Sequence, residues 1–325
     1  LLLFFKKEVL PSLPSNHKMT HSPPLLVLSR IIIDDLHFAD GTMRPATPGG
    51  AGLHAAAGAA LWWPKIAPVA GVGADIHEVT RGMLRSERFV PDGLLLRDPC
   101  STRSRLVYAP DGGRTETSIL GPDHFARLEV HAGDIPDGLL PAAGIYIFRD
   151  TDAAFWHSID RISTSLGIIL WELHADAATQ GHLPALHAIL PRVDVFSLNL
   201  SEGRGLFGDM KPDAMLDALL AAGARIVLLR MGARGAIAAT PSQRLHALPP
   251  PCDVIDETGG GNSFCGGFLA SLCAAPGDIE RALRRASASA ACAIGQFGPA
   301  PLDTDRAKTF ARATPIARLA QAAMA

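Results

Sequence analysis

Residues 256–267 read Asp256-Glu257-Thr258-Gly259-Gly260-Gly261-Asn262-Ser263-Phe264-Cys265-Gly266-Gly267, and the apolar run Phe268-Leu269-Ala270-Ser271-Leu272 follows. Three adjacent glycines reach backbone angles closed to other residues, so their N–H groups can converge on one point where the apolar run begins a helix. The partial positive charge of a helix N-terminus adds to those donors. The turn therefore predicts an anion hole built by Gly259, Gly260 and Gly261, suited to a phosphoryl group in transit. Asn262 stands where an alcohol phosphotransferase needs a carboxylate base, and an amide takes up no proton at neutral pH.

Upstream of this turn the chain alternates apolar runs with helix-compatible segments. Leu25–Ile33 reads as one buried strand ending in Asp34-Asp35, and Pro48-Gly49-Gly50 then leads into an alanine-rich helix over 51–60, small enough to lie close against a sheet. A strand fits 66–70, with Asp75 capping a helix that reaches about Leu84. Between residues 89 and 132 the texture changes to short alternating runs around Pro110-Asp111-Gly112-Gly113, a hairpin signal. The rhythm then resumes with strands near 144–148, 167–171, 193–198 and 225–230, helices near 183–190 and 211–222, and two more helices over 278–295 and 304–324. Such alternation predicts an α/β fold: a doubly wound, mostly parallel sheet flanked by helices, with a small β outgrowth over about 35–48 and 89–132. Ligands in these folds gather at the carboxyl ends of the strands, which sets Asp34, Asn199, Glu202 and the 256–262 turn along one rim.

Composition narrows the function. The chain has 325 residues, 48% of them hydrophobic, and a formal charge of −2, enough for a sizeable α/β core and without the basic runs that bind nucleic acid. The five cysteines are scattered with no Cys-x-x-Cys pair, the pattern of reduced cytosolic thiols. No apolar stretch reaches the 18 residues or so of a membrane span, so a soluble, cytoplasmic protein without a membrane partner is expected. Residues 1–24 carry four prolines and no periodicity and read as a disordered leader before a single domain over 25–325, with Met19 as an alternative start.

Taken together these pieces resemble the ribokinase-like carbohydrate kinases, the PfkB family, from about Ile31 to Pro299. Asp256-Glu257-Thr258-Gly259-Gly260-Gly261-Asn262 is similar to the family's closing Asp-Thr-Thr-Gly-Ala-Gly-Asp, with Asn262 in place of the base. The resemblance implies a substrate-binding role for Asp34, Gly49 and Gly50, and for His54 where a substrate-contacting asparagine is common. It implies that Asn199 and Glu202, in Asn199-Leu200-Ser201-Glu202, organise ATP and Mg²⁺, the metal through water. Gly232 and Gly235, with Asp256 and Thr258, would lie at the nucleotide. The usual threonine ahead of Gly232 is here Arg230. Residues 89–132 resemble the β lid that closes over the sugar and excludes water. The Gly-Gly-Gly-Asn form also resembles a fungal branch, the maintenance-of-killer proteins, which Trp171-Glu172 fits as well.

Two functions stay open. One is an ATP-dependent kinase acting on a hydroxyl of a sugar, nucleoside or related polyol, slow for want of a base. The other is a catalytically inactive relative that serves as a ligand-binding or protein-interaction module, since function resides in the site rather than the fold. Either a monomer or a homodimer is compatible with the resemblance.

Overall fold

The computed structural model describes residues 22–109 and 113–319. In chain order the first elements are strands β1 (Leu25–Leu28), β2 (Ile32–His37) and β3 (Met43–Gly49), helix α1 (Gly50–Ala60), strand β4 (Ile66–Gly73) and helix α2 (Ile76–Val79). Strands β5 (Leu94–Asp98), β6 (Thr102–Tyr108) and β7 (Arg114–Ser118) follow, then helix α3 (Pro122–Arg127). Next come β8 (Gly144–Arg149), α4 (Ala153–Asp160), β9 (Ile168–Leu173), α5 (Leu183–Ile189), β10 (Val195–Asn199), α6 (Leu200–Phe207), α7 (Pro212–Ala221) and β11 (Ile226–Arg230). The chain closes with β12 (Ala236–Thr240), β13 (Gln243–Ala247), α8 (Gly260–Ala274), α9 (Ile279–Ile294), α10 (Thr304–Ala313) and β14 (Ile316–Leu319).

Ten strands form the main sheet in the order β14-β13-β12-β11-β10-β9-β8-β1-β4-β5. Pairing is parallel from β11 to β5, and β12, β13 and β14 add an antiparallel edge. Side chains alternate faces along each strand. Leu26, Ile145, Trp171 and Phe196 pack in one core, beside Phe155 and Trp156 of α4 and Leu216 of α7. Leu25, Tyr146, Leu170 and Leu228 pack in the other, beneath α1, α8 and α9. Trp156, Trp171 and Phe196 stack through edge and tilted contacts at 4.8–4.9 Å, and a large apolar side chain buried in this way contributes about 1.5–3 kcal/mol.

A second sheet of four strands, in the order β3-β2-β6-β7, stands over the main one as a small β lid. The long apolar run at the N-terminus explains its origin. Leu25–Ile33 is two strands, not one: the chain breaks at Ser29-Arg30, and Asp34 lies inside β2 of the small sheet rather than at the end of a core strand.

Other expectations need correction. The helix after Asp75 is a single turn, and the Asp75 carboxylate does not cap it but accepts from the Ser101 amide at 2.7 Å and the Ser101 hydroxyl at 2.6 Å. Within 89–132, Leu94–Asp98 joins the main sheet beside β4, and 122–127 is helical. The helix begun at Thr304 ends at Ala313, and Ile316–Leu319 pairs with β13, so the expected continuation toward 324 is wrong up to 319 and beyond that lies outside the described residues. The alanine-rich α1 packs on α8 as well as on the sheet: the Ser263 hydroxyl donates to the His54 carbonyl at 3.0 Å. The proposed leader, apart from 22–24, and the tip of the hairpin at 110–112 also fall outside the described residues.

Candidate active site

The turn before α8 is shaped by what lies behind it. Gly259 takes φ 74°, a left-handed conformation, and a Cβ there would sit 2.1 Å from the His54 ring. At Gly261 a Cβ would lie 2.0 Å from Nη1 of Arg230, so a side chain there would have to displace that guanidinium. The Gly260 amide donates to the Glu257 carbonyl at 3.3 Å and is not free for a ligand. The open donors of the turn are thus the first-turn amides that follow, which have no partner within a helix.

Facing this turn is a cavity of about 680 Å³. It brings together Asp34, Gly50, His54, Asn199, Glu202, Thr258, Gly259, Gly261 and Asn262. Gly49, Gly232, Gly235, Gly260 and Asp256 are not on its wall. Gly49 instead backs Asp34, since a Cβ at Gly49 would fall 2.3 Å from Oδ2 of that carboxylate. Gly232 and Gly235, at φ 59° and 81°, form the turn between β11 and β12.

On the small-sheet wall, Asp34 is 5% exposed and its pKa is pushed up to about 7, by burial first and by the Glu116 carboxylate next, with Arg114 pulling it down. His54 is buried beneath the turn, and loss of solvent lowers its pKa to about 4, so the ring is neutral at pH 7. Its Nδ1 has no hydrogen-bond partner among the described residues. The small sheet is tied to the glycine turn: the Tyr108 hydroxyl donates to Asp256 at 3.1 Å and contacts the Thr258 hydroxyl at 2.9 Å, and Arg114 also donates to Thr258. Phe38 stacks on Tyr108 at 5.2 Å between ring centroids.

On the opposite wall, Asn199 and Glu202 form a reciprocal cap. The Glu202 amide donates to Asn199 Oδ1 at 2.8 Å, while the Asn199 amide and Nδ2 donate to the Glu202 carboxylate at 2.6 and 2.7 Å. Burial raises the pKa of Glu202, against the pull of Arg230 and of the Asn199 amide.

Beneath the turn lies a group that sequence reasoning mostly missed. Tyr146, Glu172, Ser197 and Arg230 come from the same face of β8, β9, β10 and β11, the register lines Ser197↔Glu172 and Asn199↔Arg230 setting them side by side. Asn262 Nδ2 donates to the Tyr146 hydroxyl at 3.2 Å, and that hydroxyl donates to Glu172 Oε2 at 2.7 Å. Glu172 Oε1 pairs with Arg230 Nη1 at 2.8 Å. Burial raises the Tyr146 pKa well above its usual value, reinforced by the Glu172 charge, so this phenol stays a donor. Cys265 donates to Ser197 at 3.2 Å and is a buried packing thiol, its pKa also raised by burial. The available signal was a glutamate in Ile-Ile-Leu-Trp-Glu-Leu, an ion in a strand otherwise wholly apolar, which requires a buried partner.

Among the described residues no cluster of His, Cys, Asp or Glu is arranged to hold a metal by itself, and no helix is long and apolar enough to cross a membrane. The profile of the pfkB family carbohydrate kinases matches residues 173–305. The cytidine kinase of Thermococcus kodakarensis is 27% identical over 250 residues, 76% of this chain and 87% of that protein. Protein MAK32 of Saccharomyces cerevisiae is 30% identical over 163 residues, 42% of this chain and 45% of that protein. The structure of aminoimidazole riboside kinase from Salmonella enterica, complexed with aminoimidazole riboside and an ATP analog, superposes with a TM-score of 0.71 at 19% identity, covering 89% of this chain and 99% of that one.

Proposed function

We propose that this chain, a member of the PfkB/ribokinase-like superfamily by its fold and by the match over 173–305, transfers a phosphoryl group from ATP to a hydroxyl of a sugar, nucleoside or related polyol. The observation that carries this reading is one shared cavity lined by Asp34, by the first turn of α8 and by Asn199 and Glu202. Asp34 would grip acceptor hydroxyls through its two oxygens. The turn's amides and helix dipole would take the transferred group. The small sheet, tied down through Tyr108 and Arg114, would keep water from the cavity. Asn199 and Glu202 would serve the nucleotide, and Glu202 suits Mg²⁺ reached through water, since each of its oxygens already accepts one bond and keeps a lone pair. The metal would supply charge neutralisation at the phosphates.

Asn262 does not take the acceptor's proton. With Nδ2 committed to Tyr146, its Oδ1 remains to accept a hydrogen bond and aim the hydroxyl. Phosphoryl transfer rests on positioning and electrostatics, so the missing base costs about 10²–10⁴-fold and leaves a slow enzyme. A second reading, a ligand-binding module without turnover, is favoured by the same hydrogen bond, which engages Asn262 in a structural network. The finer kinship with the maintenance-of-killer branch rests on the Gly-Gly-Gly-Asn turn, and Protein MAK32 aligns over less than half its length. Consumption of ATP with Mg²⁺ by the purified chain, over a panel of sugars, polyols and nucleosides, tests the kinase reading. Acceptor-dependent ADP release supports it. ATP binding without turnover on any acceptor leaves the module.

A further inference from the structure

Arg230 is the one departure in the nucleotide half that the fold places directly behind the glycine turn. It ends β11, is buried to 12% side-chain exposure, lines the cavity, and packs against Gly261 so closely that a Cβ there would lie 2.0 Å from Nη1. Nη1 is engaged by Glu172 at 2.8 Å, and Nη2 lies 3.6 Å from Glu202, beyond hydrogen-bond distance. Nε and Nη2 have no hydrogen-bond partner among the described residues. Glu172 therefore holds the planar fork by a hydrogen bond on one side and Glu202 by a longer ion pair on the other, while Nε and Nη2 keep unused hydrogen-bond donors within the cavity lining. An arginine fork matches the oxygens of a phosphoryl group in spacing and planarity, where a threonine would offer one hydroxyl. Burial alone would lower the Arg230 pKa, yet Glu172 and then Cys265, Glu202 and Tyr146 together raise it, so the cation persists at any working pH.

We infer that Arg230 is a phosphate-contacting residue of this chain, donating from Nη2 to a terminal phosphate oxygen held at the Gly259–Asn262 turn, with Glu172 as the buried strut that aims it. This deepens the kinase reading and rests on it. The competing role is that of a counter-ion that merely neutralises Glu172.

The test uses the full chain with four variants: Arg230→Lys, Arg230→Gln, Glu172→Gln, and the double Arg230→Gln/Glu172→Gln. Melting temperature, calorimetric binding of ATP–Mg²⁺ and ADP–Mg²⁺, and acceptor-dependent turnover are measured on each. A phosphate contact predicts that Arg230→Gln lowers kcat by about 10²–10³-fold, the effect of losing one oxyanion donor. It also predicts a loss of ATP affinity larger than the loss of ADP affinity, and a double variant that regains melting temperature while staying slow. Should Arg230→Gln not fold, Arg230→Lys keeps the charge against Glu172 and should still lose turnover without losing stability. Recovery of turnover by the double variant would overturn the inference, as would equal loss of ATP and ADP affinity. If the parent chain turns over no acceptor, the kinase reading fails alone, and the ATP-against-ADP difference still decides whether Arg230 meets the terminal phosphate.

Discussion

The two walls of the cavity are built on opposite plans. On the small-sheet side Asp34 is governed by burial and by the charges of Glu116 and Arg114, so its carboxylate is shaped by field. Beneath the glycine turn, Asn262, Tyr146, Glu172 and Arg230 are joined in series, the amide to the phenol, the phenol to the carboxylate and the carboxylate to the guanidinium. The first wall has been left receptive to a ligand; the second is a preassembled base plate. The contrast teaches that replacing the usual aspartate with Asn262 was not an isolated loss, since the amide is wired into a carboxylate one residue further away.

The contrast can be broken most sharply at the receptive wall itself. Asp34→Ala should lower kcat/KM for the acceptor by about 10²–10³-fold, the loss of one or two charge-assisted hydrogen bonds, while ATP affinity from calorimetry stays within error. A matching loss of ATP affinity would show that the two walls are not separate.

Next in size is Asn262. Asn262→Asp alone would set a second carboxylate beside a tyrosine whose single proton already serves Glu172, and like charges would compete for it. The gain in kcat should therefore be small, whereas Asn262→Asp with Glu172→Gln, which removes the competing charge together with the strut on Arg230, should gain more than the single change, up to about 10²-fold. Steady-state kinetics with the best acceptor decides; an equal gain from the single change would mean the base plate is indifferent to charge.

A smaller effect should appear with pH. The folded pKa of Asp34, about 7, lies above its ordinary 3.8, so the folded state holds this proton more tightly than the unfolded state does. Its contribution to stability is then fully present below about pH 4 and lost as pH rises through about 7. Asp34→Asn should accordingly flatten the fall in melting temperature between those limits, seen by thermal scans in matched buffers.

The least effect belongs to the tie between the walls. Tyr108→Phe should cost about 0.5–1.5 kcal/mol of stability and raise the acceptor KM severalfold with kcat held. An unchanged KM would show that the small sheet closes without this hydroxyl.

The sheet's parallel core could be read along the chain because buried parallel strands leave continuous apolar runs and glycine turns mark their ends. What escaped depended on partners distant in sequence. Ser29-Arg30 looked like a blemish in one strand but is where the chain crosses from the large sheet to the small one, carrying Asp34 with it. Ile316–Leu319, within a stretch rich in alanine and arginine, is a strand only because β13 offers an edge, an override of helix propensity by tertiary pairing. In the site, glycines and caps were visible because their chemistry is local. Tyr146 and Glu172 were not, and Arg230 showed only as a departure from a usual threonine, since their grouping becomes intelligible only when register sets β8, β9, β10 and β11 side by side.

The ties from Tyr108 and Arg114 to Asp256 and Thr258 join the sheet that would receive the acceptor to the turn that would receive the phosphate. Any ligand that shifts one end of this joint does work on the other. Thermodynamic linkage then fixes a reciprocity: whatever factor the acceptor applies to nucleotide affinity, the nucleotide must apply equally to the acceptor.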